Sequence, residues 1–146
     1  MKSILFVCLG NICRSPLAHG IAQDYVDKNG LDMVIDSCGT GSWHVGETPC
    51  ENSIKVGNLN GVDISKQRAR QITQKDFEEF DVVIGLDDSN ISNLLKLGCP
   101  QSKLKKLGFY GYENKDTPDP YFFDGFDGFE KVYEMIEVCT LNLLKS

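Results

Sequence analysis

Apolar residues cluster along this chain in short unbroken runs that alternate with longer, periodic stretches. Ser3–Cys8 carries a continuous apolar run, which predicts a strand covered on both faces, Met33–Ser37 predicts a second strand, and Asp81–Leu86 a third, buried one. Leu104–Leu107 predicts a fourth, shorter strand. Ser15 to about Lys28 reads as a helix, with Ser15 as N-cap, Pro16 as first helical residue and Asn29-Gly30 as the stop. Thr48-Pro49-Cys50-Glu51 has the form of a capping box and predicts a helix to about Leu59, ended by Asn60-Gly61. Thr73-Gln74-Lys75-Asp76 opens a short helix, and Asp87-Asp88-Ser89-Asn90 opens another that runs to about Leu97. Phe129, Val132, Tyr133, Ile136, Cys139 and Leu143 fall on one face of a final helix. Cys38–Glu47 and Tyr112–Asp127 read as loops.

Strand and helix alternate throughout, which predicts an α/β fold with a mainly parallel sheet and helices on both faces. In such sheets ligands bind beyond the carboxyl ends of the strands. Cys8, Ser37 and Asp87 are all expected there. No repeat, low-complexity tract or linker interrupts the pattern, so residues 1–146 are expected to form a single domain.

Composition narrows the class. With 41% hydrophobic and 25% charged residues, the chain has the balance of an ordinary soluble globular protein. A formal net charge of −6 argues against a general nucleic-acid binder. No apolar stretch is long enough to span a bilayer, and the start lacks the pattern of a secretory leader, so a cytoplasmic protein is expected. The six cysteines include no Cys-x2-Cys pair and do not read as a disulfide framework. Most are expected to be small buried apolar residues. With two histidines in the chain, neither a zinc site nor a Cys–His protease is expected.

The most specific chemistry lies where the first strand meets the first helix, at Cys8-Leu9-Gly10-Asn11-Ile12-Cys13-Arg14-Ser15. A loop of this length can turn its backbone N–H groups inward, and the helix N-terminus adds positive partial charge. That field favours anions, both a Cys8 thiolate and a bound phosphoryl group. Arg14 can hold two phosphate oxygens with its planar fork. A thiolate attacking a phosphate ester also needs a proton donor for the leaving oxygen. Asp119, in the stiff segment Asp116-Thr117-Pro118-Asp119-Pro120-Tyr121, is the leading candidate, with Asp116, Asp124 and Asp87 as rivals.

Ile4–Pro16, Ile35-Asp36-Ser37, Trp43, Ala69–Thr73, Leu86–Asn90 and Asp119-Pro120-Tyr121 together resemble, in order and over nearly the whole chain, the low-molecular-weight protein tyrosine phosphatases. The resemblance implies a three-layer fold of the phosphotyrosine protein phosphatase I type, with a four-stranded parallel sheet flanked by helices. It implies Cys8 as nucleophile, Arg14 as phosphate clamp and Asp119 as general acid. Leu9, Gly10, Asn11, Ile12, Cys13, Ser15 and Ser37 would bind phosphate or support the loop, Ser15 by donating to the Cys8 sulfur. Trp43, His44, Tyr121 and Phe122 would wall the substrate pocket. No metal or cofactor is implied.

Three positions depart from the family pattern. His44 stands where mammalian members carry asparagine, and Phe122 stands where they carry a second tyrosine. Gln67 replaces a histidine that contacts the loop network in animal members. The aromatic run Phe122–Phe126 reads as core, or else as an extended substrate or dimer surface.

The implied activity is hydrolysis of protein phosphotyrosine and small aryl phosphates through a phosphocysteine. The expected partners are tyrosine-phosphorylated proteins, and the expected assembly is a monomer or weak homodimer. An arsenate reductase of the same fold would need further cysteines near the third strand, and Phe80–Gly98 has none. A protein arginine phosphatase tends to carry threonine at Ile12. An inactive phosphate-binding module is the remaining alternative. Cys13, five residues from Cys8, is the expected disulfide partner of an oxidised nucleophile.

Overall fold

The computed structural model describes residues 2–120 and 125–146. Four parallel strands, β1 (Lys2–Cys8), β2 (Met33–Gly39), β3 (Val82–Gly85) and β4 (Leu104–Lys106), form one sheet in the order β2-β1-β3-β4. The helices are α1 (Arg14–Asn29), α2 (Glu51–Leu59), α3 (Gln74–Glu79), α4 (Asp88–Lys96) and α5 (Asp127–Lys145).

Side chains alternate across the sheet, so β1, β2 and β3 each feed two separate cores. Ile4, Phe6, Cys8, Ile35 and Ile84 join residues of α1, α2 and α5 on one face. Leu5, Val7, Cys38 and Val83 join Phe77 of α3 and Leu94 of α4 on the other. Ile4, Leu5, Phe6 and Val7 are each fully buried, as a central strand with helices on both faces requires. The six residues expected on one face of the last helix are all buried in the α1 side core.

The chain leaves β1 for β2 on one side and passes β1 to form β3 on the other. This makes the crevice between the carboxyl ends of β1 and β3 the topological switch point, the usual ligand site of an open parallel sheet. Cys8 is the last residue of β1, and Asp87 lies two residues after β3.

Two helix starts differ from the expected ones. α1 begins at Arg14, with Cys13 in the N-cap position, because the Ser15 hydroxyl is turned away from the backbone toward the Cys8 sulfur. Pro16 is then the third helical residue, still within the first turn, where its missing N–H costs no helical bond. α2 begins at Glu51 rather than after Thr48. The Cys50 N–H donates to the Ile12 carbonyl at 2.7 Å, which holds the preceding segment extended against the β1–α1 loop. The other starts are as expected. Thr73 and Asp76 form a capping box on α3, and Asp87 and Asn90 form one on α4. Gly30, in the left-handed region, ends α1. Among the described residues no helix is long and apolar enough to cross a membrane.

Candidate active site

The loop from Cys8 to Arg14 turns tightly, and two backbone features make that turn possible. Asn11 sits at φ 56°, a left-handed conformation that asparagine tolerates better than most side chains. Gly39, at the end of β2, lies directly under the loop. A Cβ there would come within 2.7 Å of the Leu9 carbonyl oxygen and 3.1 Å of the Asn11 nitrogen. The loop is laced to its surroundings by Thr40 N–H to the Cys8 carbonyl at 3.0 Å and Gly41 N–H to the Leu9 carbonyl at 2.9 Å.

The Cys8 sulfur, almost fully buried, accepts the Asn11 backbone N–H at 3.3 Å and lies 3.0 Å from the Ser15 hydroxyl. The direction of that second bond follows from its neighbours. The Asn11 side-chain amide donates one hydrogen to Ser15 Oγ at 2.8 Å and the other to Ser37 Oγ at 3.1 Å. Both hydroxyls therefore accept from Asn11 and have their own hydrogens free to donate. Ser15 donates to the sulfur, and Ser37 donates to His19 Nδ1 at 2.9 Å. His19 must be neutral at Nδ1 to accept. Burial lowers its pKa, Asp36 opposes and Arg70 adds to the lowering, which agrees with that state. Asn11 Oδ1 accepts the Arg70 N–H at 3.1 Å, and the Arg70 guanidinium is held by Asp36 and Asp76. The result is a polarised chain, His19, Ser37, Asn11 and Ser15, in which the Asn11 amide donates to both hydroxyls and the Ser15 hydrogen points at sulfur.

Arg14, 8% exposed, is fixed by the far side of the site. Its Nη1 donates to Asp87 Oδ2 at 2.7 Å and to the Thr117 carbonyl at 2.9 Å. Those two bonds occupy both hydrogens of one nitrogen and orient the guanidinium, so the Nε and Nη2 edge keeps the fork geometry for a bidentate anion. Burial alone would lower the Arg14 pKa. The neighbouring Cys8, Asp87 and Asp119 outweigh burial and hold it above its ordinary value.

Cys8, Leu9, Gly10, Ile12, Cys13 and Arg14 line a cleft of about 240 Å³, closed by Trp43, His44 and Asp119. Trp43 is 71% exposed and stands on the rim, packed over Gly41. His44 bears on Gly10, and its Nδ1 lies 2.9 Å from Glu47 Oε2. Of the candidate acids, Asp119 alone among the described residues lines this cleft. Asp87 caps α4 and pairs with Arg14, while Asp116 pairs with Lys106 Nζ at 2.9 Å and accepts the Asp88 N–H. Asp124, Tyr121, Phe122 and Phe123 lie outside the described residues. Phe126, at the end of the aromatic run, packs partly buried against the core and stacks on Phe129.

Four supporting residues carried no role in the sequence reading of the site. His19 follows Ser15 by one helical turn on the same face, which is the signal that would have found it. Gln67, in place of the family's histidine, donates to the Pro16 carbonyl at 3.0 Å and does not join the Asn11–Ser37 network. Arg70 and Cys50 reach the loop from other segments, and no spacing along the chain links them to it. The Cys13 sulfur, the expected disulfide partner of an oxidised Cys8, lies 2.8 Å from the Cys50 sulfur.

The family model described as low molecular weight phosphotyrosine protein phosphatase matches residues 3–146. The low molecular weight phosphotyrosine protein phosphatase of Schizosaccharomyces pombe is 40% identical over 150 residues, covering 98% of this chain and 95% of its own length. A crystal structure of a protein tyrosine phosphatase from Entamoeba histolytica superposes with a TM-score of 0.91 at 32% identity, covering 99% of this chain and 96% of its own. A Drosophila arginine phosphatase superposes with a TM-score of 0.89 at 34% identity, covering 99% and 96%. With a match from end to end in sequence, and a fold shared at this level, the chain belongs to the low molecular weight phosphotyrosine protein phosphatase family.

Proposed function

We propose that this protein hydrolyses phosphotyrosine in proteins, and small aryl phosphates, through a phosphocysteine at Cys8. The observation that carries the reading is the convergence on one cleft of a sulfur accepting two hydrogen bonds, an oriented guanidinium and a carboxyl group.

In the first step Cys8 attacks phosphorus in line, and the phosphoryl oxygens gain charge opposite Arg14 and the backbone amides of the Cys8–Arg14 loop. Asp119 gives its proton to the leaving phenolate oxygen. In the second step Asp119, now a carboxylate, takes a proton from water as the water attacks the phosphocysteine. Ser15 eases the departure of Cys8 by donating to the sulfur as it regains negative charge. Trp43 on the rim offers an apolar face to an aryl ring, and a phosphate borne on a tyrosine ring reaches further into a cleft than one on serine. Ile12 in the cleft wall adds apolar surface for the same ring. The relationship to a Drosophila arginine phosphatase makes phosphoarginine the substrate to compare.

The test is a panel of peptides that differ only in bearing phosphotyrosine, phosphoserine or phosphoarginine, assayed with the unaltered protein and with Cys8→Ser. Preference for phosphotyrosine, abolished in Cys8→Ser with binding retained, is expected. Preference for phosphoarginine would replace the substrate assignment. Turnover by Cys8→Ser would overturn the mechanism.

A further inference from the structure

The hydrolytic cycle makes no use of the sulfur atoms of Cys13 and Cys50, yet the fold brings them to 2.8 Å. That is about 0.8 Å beyond the length of a disulfide bond. Residues 37 apart in sequence meet here because the Cys50 N–H is anchored on the Ile12 carbonyl, inside the phosphate loop. A ring of hydrogen bonds sets the two thiols in order. Cys50 Sγ donates to Ser53 Oγ at 3.0 Å, and Ser53 Oγ donates to the Cys13 carbonyl at 3.2 Å. With its hydrogen given to Ser53, Cys50 accepts from the Cys13 thiol. That bond, burial, and the nearby charge of Cys8 hold the Cys13 pKa far above its ordinary value, so Cys13 is unreactive at rest. Cys13 nevertheless shares the cleft with Cys8.

We propose that Cys13 and Cys50 form a dithiol site that withdraws oxidation from Cys8 after a peroxide enters the cleft, and so returns the nucleophile to its reduced state. The proposal rests on the reading of Cys8 as the reactive thiolate. Cys8 attacks the peroxide O–O bond, forming a sulfenic acid and releasing hydroxide, which takes a solvent proton and becomes water. Loss of the negative charge on Cys8 removes one of the groups that hold the Cys13 proton in place. The Cys13 sulfur then attacks the Cys8 sulfur. An S–S bond forms, the S–O bond breaks, and hydroxide leaves with the Cys13 proton as a second water. Cys50 next attacks the Cys13 sulfur, forming the Cys13–Cys50 bond and displacing Cys8 as thiolate, while the Cys50 proton passes to solvent. One peroxide is reduced to two waters, and two thiols are oxidised to one disulfide.

The consequence differs from that of a two-cysteine scheme. A Cys8–Cys13 disulfide stops the enzyme, whereas a Cys13–Cys50 disulfide leaves Cys8 free to react.

Hydrogen peroxide added in equimolar amount, followed by alkylation with iodoacetamide, peptide mapping without reductant and an aryl phosphate assay, tests the relay. The unaltered protein should carry Cys13–Cys50 and keep most of its activity. Cys50→Ser and Cys50→Ala should stop at Cys8–Cys13 and lose about tenfold more activity, recovered by dithiothreitol. Agreement between these two variants, with unchanged melting midpoints, excludes misfolding as the cause. A terminal Cys8–Cys13 disulfide in the unaltered protein, or equal inactivation of all three proteins, overturns the proposal. Formation of Cys13–Cys50 in Cys8→Ser at the unaltered rate would also overturn it, because peroxide would then bypass Cys8. That result would leave the hydrolysis reading intact, while aryl phosphate turnover by Cys8→Ser would overturn the hydrolysis reading instead.

Discussion

Replacing Asn11 by alanine removes the hub of the network behind Cys8, and the structure gives the size of the effect. The side chain is 2% exposed and makes three hydrogen bonds, to Ser15 at 2.8 Å, to Ser37 at 3.1 Å and from Arg70 N–H at 3.1 Å. At about 1 kcal/mol net for each bond, the loss is about 3 kcal/mol. Alanine at φ 56° adds about 1 kcal/mol that asparagine largely avoids. A total of about 4 kcal/mol lowers the melting midpoint of a chain this size by about 8–16 °C. Catalysis is affected through Ser15, whose hydroxyl loses the partner that turns its hydrogen toward sulfur. Ser15→Ala itself removes a hydrogen bond to a charged group, about 1.5–3 kcal/mol or roughly 10–150-fold in rate. Because Asn11 acts through Ser15, the two changes should not multiply. Thermal melting and kcat for an aryl phosphate, measured on both single variants and the double variant, make the cycle. A melting shift under about 3 °C for Asn11→Ala, or a double-variant rate equal to the product of the two single effects, would refute the polarised chain.

Asp119→Ala should slow turnover by about 10²–10⁴-fold for leaving groups as basic as tyrosine, and by much less for activated phenols, while Asp116→Ala stays mild. If Asp116→Ala is the severe change in a leaving-group series, the acid has been misassigned. His19 has its pKa lowered in the fold, so as pH falls the unfolded chain takes up its proton first, near the ordinary value of about 6.5. The stability that neutral His19 contributes is complete above that value and is lost as pH falls through the lower folded one. Urea unfolding at pH 7.5 and pH 5 should therefore show a smaller loss on acidification for His19→Gln than for the unaltered protein, and equal losses would remove His19 from the account. Gly39→Ala drives a methyl group to 2.7 Å from the Leu9 carbonyl. It should cost about 1–3 kcal/mol in unfolding experiments and raise KM for phosphate esters, because the loop itself must shift. A variant with unchanged KM and stability would show that the loop has room to spare.

The features of this protein that a short stretch of chain can encode are legible in the sequence by itself. Strands buried on both faces announce themselves as unbroken apolar runs, and the spacing from Cys8 to Arg14 fits one phosphate loop closed by a helix N-terminus. The caps at Thr73 and Asp87 follow from residues three apart, and α/β alternation fixes the carboxyl ends of the strands as the site. Resemblance in several short motifs then points to the family. The two helix starts that differ mark the limit of local patterns. Ser15 and Thr48 have the right chemistry to cap a helix, but Ser15 gives its hydroxyl to Cys8, and Cys50 N–H gives the loop before α2 to Ile12. In each case a hydrogen bond across the fold outweighs a local one.

What only the tertiary structure decided is which distant groups finish the site. Arg14 is aimed by Asp87 and by a carbonyl at Thr117, 73 and 103 residues away. Ser37 is oriented by His19, Asn11 is braced by Arg70, and Cys13 is held by Cys50. None of these pairings has a sequence period, because each depends on how the helices and loops settle around the sheet. A hydrogen bond needs its partners within a few tenths of an ångström, and packing, rather than local propensity, supplies that precision.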